Sequence, residues 1–460
     1  MKFNIYTFSI ILCIAIAGSS CKKLITAPLP NNLLVSSSVF LDAGTAQSAI
    51  HGLYSRFYNG YMGGSGYYSY NITLHPARLA DELYAVSNTV DNFSNNSLVS
   101  SDYDVEALWN DSYSCIYAAN SIIQGAAKSS ALSAGLQQQL ISEAKFIRSV
   151  CYFYLLNYFG DVPLVTSTNA DLISTLPKTP TTEVYAQIVA DLQEAENTLA
   201  ADYSWSQQDR TRANKWAASA MLARVYLYMG KWPEAEAEAS KVIAQTSLYG
   251  LVKDNLSDVF LKGSQETILE FYTNFNGRPY QNNYTLLTPN TIPNFALRSD
   301  LLQAFESGDL RNSEWIGSMP YNGNTYYYAT KYKSEPNANT EHQVFLRLSE
   351  LLLIRAESRA HQNNFSGAKL DLDQIRNRAG LEGTTASDLA SFNVALEKER
   401  QVELFMEWGD RWLNLKRLGR ADAVLKTLKP NSWQATDVWY PIPLSATSTN
   451  TNLSQNPGYN

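Results

Sequence analysis

Cysteine is scarce in this chain, with four residues in 460. Cys13 and Cys21 fall in the first stretch, so Cys115 and Cys151 are left for the folded part, and a disulfide framework is excluded. Both lie in apolar runs of helical period, which reads as two buried free thiols rather than a bridge. Histidine is equally sparse: His51, His75, His342 and His361 are never within four residues of one another. No His-Glu-x-x-His or Cys/His cluster exists to hold zinc. The Gly63–Gly66 stretch lacks the spacing of a nucleophile elbow. Asp371 and Asp373 sit on a predicted helix without the glycine-containing loop that calcium requires. No cofactor or metal is expected, and nothing marks an enzyme. Charged residues make up only 17%, with a net charge of −7. No basic stripe is available for nucleic acid.

Against these absences, the first twenty-odd residues carry a definite signal. Lys2 gives a positive start, an apolar run of 13 residues follows from Ile5 to Ala17, and Gly18, Ser19 and Ser20 lead into Cys21. A membrane-spanning helix needs ~20 apolar residues, so export fits better than a transmembrane anchor. The order resembles a bacterial lipoprotein signal, residues 1–20, cleaved before a Cys21 that carries acyl chains. Two or more chains on one residue give stable anchoring. Residues 21–35, rich in proline and asparagine, read as a tether to a single domain over 36–460.

Within that domain, helices dominate over 105–246 and 343–420. The 105–123 stretch places Trp109, Tyr113, Ile116, Tyr117 and Asn120 at helical spacing on one face. The apolar run ending at Phe159 is stopped by Gly160-Asp161, with Pro163 just beyond. The next helix opens with a threonine cap and Glu183, then repeats Val184, Ile188, Leu192, Ala195 and Leu199. Residues 214–243 have the spacing of a tetratricopeptide hairpin. Gly230 breaks the first helix, Ala223 and Ala235 allow close approach, and Tyr226 and Trp232 fill the wedge. A second copy has Ala356, Phe365, Ala368, Leu372 and Ile375 in the corresponding places, with Asn363 at the turn. Two such hairpins point to a solenoid-like array. Glu399, Glu403 and Glu407 share one helical face, with Arg400 and Arg411 three or four residues away from the last two, which reads as a salt-bridged structural helix.

Two regions, 59–104 and 247–341, break the helical pattern. Strand-like runs occur at 267–272 and 325–333, among many glycines, prolines and asparagines. Much of the chain's tyrosine and tryptophan (29 and 9 residues) is core, but some falls in these polar stretches. Rings exposed there can stack on the apolar faces of sugars while their polar edges stay wet. The ligand-binding candidates are Tyr67, Tyr68, Tyr84, Asn88, Tyr280, Tyr284, Trp315 and Tyr327.

Four segments now combine: 142–165, 214–235, 399–419 and the tail 439–459. In sequence and order they resemble the SusD/RagB family of Bacteroidetes surface lipoproteins. The resemblance runs from Cys21 to the C-terminus. It implies a mostly α fold of tetratricopeptide-like helical pairs with an irregular, loop-rich ligand-binding half. It also implies a lipid-anchored protein on the outer face of the outer membrane and a SusC-like TonB-dependent barrel as partner. Asp410 stands where many relatives have His, and Asn414 where they have Asp, at positions that look structural in the family. The expected function is non-catalytic capture of a nutrient, an oligosaccharide first. Peptide capture of the RagB type and a tetratricopeptide-like assembly scaffold are the alternatives.

Overall fold

A computed structural model describes residues 36–60, 67–86, 91–273, 292–334 and 338–459. The signal segment, Cys21 and the tether lie outside the described residues.

The principal elements begin with helices α1 (Ala43–Asn59) and α2 (Tyr67–Leu79), then strand β1 (Leu83–Ala85). The array follows as α3 (Tyr103–Lys128), α4 (Ala134–Phe159), α5 (Thr181–Thr198), α6 (Lys215–Tyr228) and α7 (Trp232–Ile243). Strands β2 (Thr267–Phe271) and β3 (Phe295–Leu297), a short α8 (Leu310–Trp315), β4 (Ile316–Tyr321), β5 (Asn324–Ala329) and β6 (Gln343–Arg347) make up the second irregular region. The chain closes with α9 (Leu348–His361), α10 (Phe365–Arg378), α11 (Leu389–Leu404), α12 (Asp410–Arg417) and α13 (Ala421–Leu428).

From α3 to α7 each helix packs on the one before it, then α9 packs on α7 and α10 on α9. α4 and α6 are central and enclosed on nearly every side: Ala217 through Leu227 are buried without a break, and the buried Arg224 is paired with Glu350. Local signals fix their ends. Ser133 and Asn214 cap by accepting the backbone N–H of Leu136 and Ala217, and Gly160 ends α4 at a φ of 73° that side chains resist.

Both predicted hairpins form. Gly230 turns the α6–α7 pair and Asn363 the α9–α10 pair, each at positive φ. Tyr226 is buried, its hydroxyl accepting from Gln193 of α5 at 3.1 Å, while Trp232 reaches the second hairpin and stacks on His361 at 3.9 Å between ring centroids. Cys115 and Cys151 are buried free thiols, and burial pushes the Cys151 thiol well up.

Three expectations need correcting. The stretch 59–104 is not wholly irregular: 67–79 is a helix whose described side chains are buried apart from half-buried Tyr70, so its aromatics belong largely to the core. At α5 the capping position is Pro180, which makes no side-chain bond, rather than a threonine. The Glu399–Glu407 face is not an intrahelical ladder either. α11 ends at Leu404, and Met406 and Trp408 take positive φ, so Glu407 lies beyond the helix. Its partners arrive from elsewhere in the chain. Arg311 donates to Glu399 and Glu403, Arg347 to Glu266, Glu403 and Glu407, and Arg378 to Glu266 and Glu403. Arg400 pairs with Asp410, and Arg411 with Asp81. This buried network ties Glu266, just before β2, to α8, β6, α10 and α11.

Candidate functional site

The site begins at a three-residue ladder. β1 runs antiparallel to β3, with Leu83 opposite Leu297, Tyr84 opposite Ala296 and Ala85 opposite Phe295. Successive side chains of a strand point to opposite faces. Leu83 and Leu297 enter a buried cluster with Phe260, Trp315, Tyr332 and Phe405, while Tyr84 stays half-buried. A cleft of about 460 Å³ opens there, with Tyr84, Asp91, Asn95, Arg298 and the 428–432 turn along its sides.

Arg298 follows β3 directly, and its backbone N–H donates to the Glu82 carbonyl at 2.9 Å, which fixes it beside Tyr84. Its Nε makes no hydrogen bond among the described residues, and its nearest carboxylate, on Asp300, is 3.9 Å away. Nε itself is out of solvent, but neither Nη donates to a described residue, so the terminal nitrogens of the guanidinium keep donor capacity at the cleft. The Tyr84 phenol is held above its usual range by burial, and Tyr326 adds to the shift.

Tyr326 comes from the β4–β5 hairpin, which packs on β3. Its two-residue turn is Asn322-Gly323, both at positive φ, the pattern of a type I′ hairpin. Gly317 faces Tyr328 across the ladder, and a Cβ there would come within 2.6 Å of the Tyr328 ring. Glycine is what lets that ring lie across the strand. By alternation Tyr326 and Tyr328 share one face and Tyr327 takes the other.

The cleft floor is built from buried charge. The Lys429 amine donates to the carbonyls of Arg78 and Leu79 and to Asn96 Oδ1 at 2.6–2.9 Å. Burial pulls its pKa down to about 7, helped by the nearby Arg298 charge. Burial works against ionising Asp91, but the Arg78 charge and Ser94 hydrogen bonds outweigh it and hold the carboxyl low. Arg78 is itself pressed between the rings of Phe93 and Phe295. Behind them His75 stacks on Phe93 at 3.9 Å, and burial followed by the Arg78 charge lowers its pKa to about 4. This layer supports the cleft wall and leaves no His–carboxylate pair facing it. Among the described residues no group of His, Cys, Asp and Glu could hold a metal ion.

The sequence candidates divide sharply. Tyr84 lines the cleft. Tyr68 does not: it is fully buried, with its hydroxyl 2.9 Å from Ser112 Oγ. Trp315 is also fully buried and donates its indole N–H to the Leu256 carbonyl at 3.0 Å. Both pack the interior and cannot meet a ligand. Tyr327 is exposed, on the hairpin face opposite Tyr326. Tyr67 begins α2, and its side chain lies outside the described residues, as do Asn88, Tyr280 and Tyr284. Arg298, Asp91 and Lys429 carry no sequence signal of their own, because no local pattern links positions hundreds of residues apart.

Two family models match the chain. One, described as starch-binding associating with outer membrane, covers residues 64–227, and the other, the SusD family, covers 299–459. The chain belongs to the SusD/RagB family. SusD-like protein P25 of Formosa agariphila is 30% identical over 268 residues, which is 56% of this chain and 48% of that protein. The chain therefore spans about half the length of that relative. SusD-like protein P2 of the same organism aligns over the whole of both chains at 25% identity. A solved structure described as a laminarin binding SusD-like protein superposes with a TM-score of 0.74 at 24% identity, covering 91% of this chain and 99% of that one. The mostly α, tetratricopeptide-like architecture is thus the SusD fold.

Proposed function

We propose that this SusD/RagB member is a non-catalytic capture protein that binds an oligosaccharide in the Tyr84 cleft. The observation that carries the reading is an open cleft lined by Tyr84, Asn95 and Arg298 on this scaffold, with the hairpin that bears Tyr326 packed on β3 beside it. A phenol ring offers an apolar face to a sugar ring, while a guanidinium donates to hydroxyls. The laminarin-binding relative of the same fold and the starch-binding description of the matching family model support this ligand class.

The chain acts, in this reading, as one SusD-like domain over 36–460, tethered through 21–35 to a lipid on Cys21 at the outer membrane. Ligand passes from the cleft to a SusC-like barrel. Turnover is not part of the function in this reading: among the described cleft residues the Ser94 hydroxyl donates to Asp91, but the Arg78 charge holds that carboxyl low and makes it a weak base.

A glycan array probed with the soluble domain tests it, followed by calorimetry on any hit with the wild type and Tyr84→Ala. Saturable binding weakened by the substitution, with the glycan returned intact, is the expected result. Binding that ignores Tyr84, or shortened products from purified protein, overturns the proposal.

A further inference from the structure

A second cavity lies away from the Tyr84 cleft, between the outer side of α1, the end of β2 and the 203–212 loop that joins α5 to α6. It has a volume of about 350 Å³, at the small end of the range for ligand sites. Two exposed rings stand on it: Trp205, 36% exposed, and Tyr272, 57% exposed. Its deeper wall is formed by Tyr54, Tyr58 and Phe271, all buried.

The Trp205 loop is fixed firmly for a surface loop. Arg212 Nη1 donates to the Trp205 carbonyl at 2.8 Å, while Nε and Nη2 hold Glu143 at 2.9 and 2.5 Å. Arg210 donates to the carbonyls of Thr267 and Leu248, which ties the loop to β2 and the segment before it. Two residues after Trp205, Gln207 and Gln208 both take left-handed backbone, φ 56° and 72°. Two adjacent non-glycine residues in that region carry strain, and such strain persists where the surroundings over-determine it. The effect here is to hold an indole at the cavity mouth on a rigid support.

The polar groups at the cavity are uncharged in effect. Arg212 is neutralised by Glu143. Burial and the Arg212 charge lower the pKa of His51 and keep its ring neutral near pH 7. The side chains of Gln47, His51, Gln207 and Thr211 make no hydrogen bond to another described residue, although each lines the cavity. Aromatic platforms with neutral donors and acceptors match a neutral sugar ring better than an anionic or cationic ligand.

We propose that the Trp205–Tyr272 cavity is a second carbohydrate-binding site, taking a neutral mono- or disaccharide unit independently of the Tyr84 cleft. The proposal rests on the preceding reading only for the class of ligand.

The test uses the indole N–H resonances of protein labelled with 15N-tryptophan, with the Trp205 signal assigned by its loss in Trp205→Phe. Maltose, cellobiose, laminaribiose, xylobiose and mannobiose are titrated separately at millimolar concentrations, together with triglycine. At least one sugar should shift the Trp205 signal saturably. The shift should persist in Tyr84→Ala and require about five- to tenfold more sugar in Tyr272→Ala, the equivalent of ~1 kcal/mol for one lost ring. Circular dichroism of the Tyr272→Ala protein checks that this exposed position leaves the fold intact. If no sugar moves Trp205, if triglycine alone does, or if the response needs Tyr84 and ignores Tyr272, the second site is refuted. Loss of glycan binding in Tyr84→Ala with the Trp205 response retained separates the two proposals.

Discussion

Arg347 Nη1 and Glu403 Oε1 are 2.6 Å apart, with the glutamate side chain wholly out of solvent and the arginine nearly so. Neither is paired with the other alone: Arg347 also meets Glu266 and Glu407, and Glu403 also meets Arg311 and Arg378. The three arginine charges overcome the burial that would otherwise favour the acid, and hold the Glu403 carboxyl well below its ordinary range. Burying this many charges costs much of what their attraction returns, so the network contributes fixed geometry more than net stability.

Removing one member is a different matter, because the others stay buried and lose compensation. Glu403→Gln should destabilise the fold by about 3–5 kcal/mol. Urea denaturation followed by circular dichroism reads this directly. A loss under 1 kcal/mol would mean that the buried arginines find water or other partners.

The cleft makes a prediction of the opposite kind, on affinity with stability little changed. Tyr84→Ala removes the half-exposed ring that lines the cleft, worth ~1 kcal/mol, so it should raise the Kd for a bound oligosaccharide about five- to tenfold. Trp315→Phe, deep in the second core cluster, should lower the thermal midpoint and leave the Kd alone. Calorimetry and thermal denaturation on both variants check both halves. Equal affinity loss from Trp315→Phe and Tyr84→Ala would remove the distinction between core and cleft.

That distinction also marks what can be read from the chain. Helical hairpins are local, so Gly230, Asn363 and the small residues around them are enough to indicate the array. Tyr68 and Trp315 mislead because their neighbours are polar or glycine-rich, and burial is decided by distant elements: α3 supplies Ser112 to one, and the 256–260 turn supplies a carbonyl to the other. The Tyr84 cleft joins positions 84, 91, 298 and 429, and no periodicity spans such separations. Likewise the acidic face of α11 is legible as a structural feature, but its partners are not, since Arg311, Arg347 and Arg378 come from three other elements.

Lys429 gives a pH signature. Its folded pKa of about 7 lies below the ordinary 10.5, so between pH 7 and 10.5 the unfolded chain holds more protons than the folded one. Stability contributed by this group therefore rises with pH across that window and is lost as pH falls towards 7, with a slope of at most about 1.4 kcal/mol per unit. Thermal midpoints of wild type and Lys429→Met, compared from pH 6 to 10, should diverge in favour of the wild type as pH rises. Parallel curves would show that the amine keeps its proton in the fold.

Anchoring is tested at Cys21. With Cys21→Ala the signal could still export the chain but no acyl group could attach, so the protein should appear in the soluble periplasmic or extracellular fraction. Retention with the membranes after a carbonate wash would contradict lipidation at this residue.

The proposed delivery requires a partner. No helix among the described residues is long and apolar enough to cross a membrane, and a cleft that holds a sugar at the surface supplies no route through the bilayer. If a SusC-like barrel provides that route, the contact has to survive repeated ligand loading. With a net charge of only −7 on the whole chain, electrostatic steering is weak. Stable docking then demands a broad interface, larger than the ~1,600 Å² of a standard complex. Such an interface loses little affinity when the Debye length shrinks from ~8 Å to ~3 Å as ionic strength rises from 0.15 to 1 M. A C-terminally tagged protein extracted in mild detergent should therefore bring down a TonB-dependent barrel at both salt concentrations. Recovery of the tagged chain alone, under conditions that keep known barrel complexes together, would count against its docking on such a transporter.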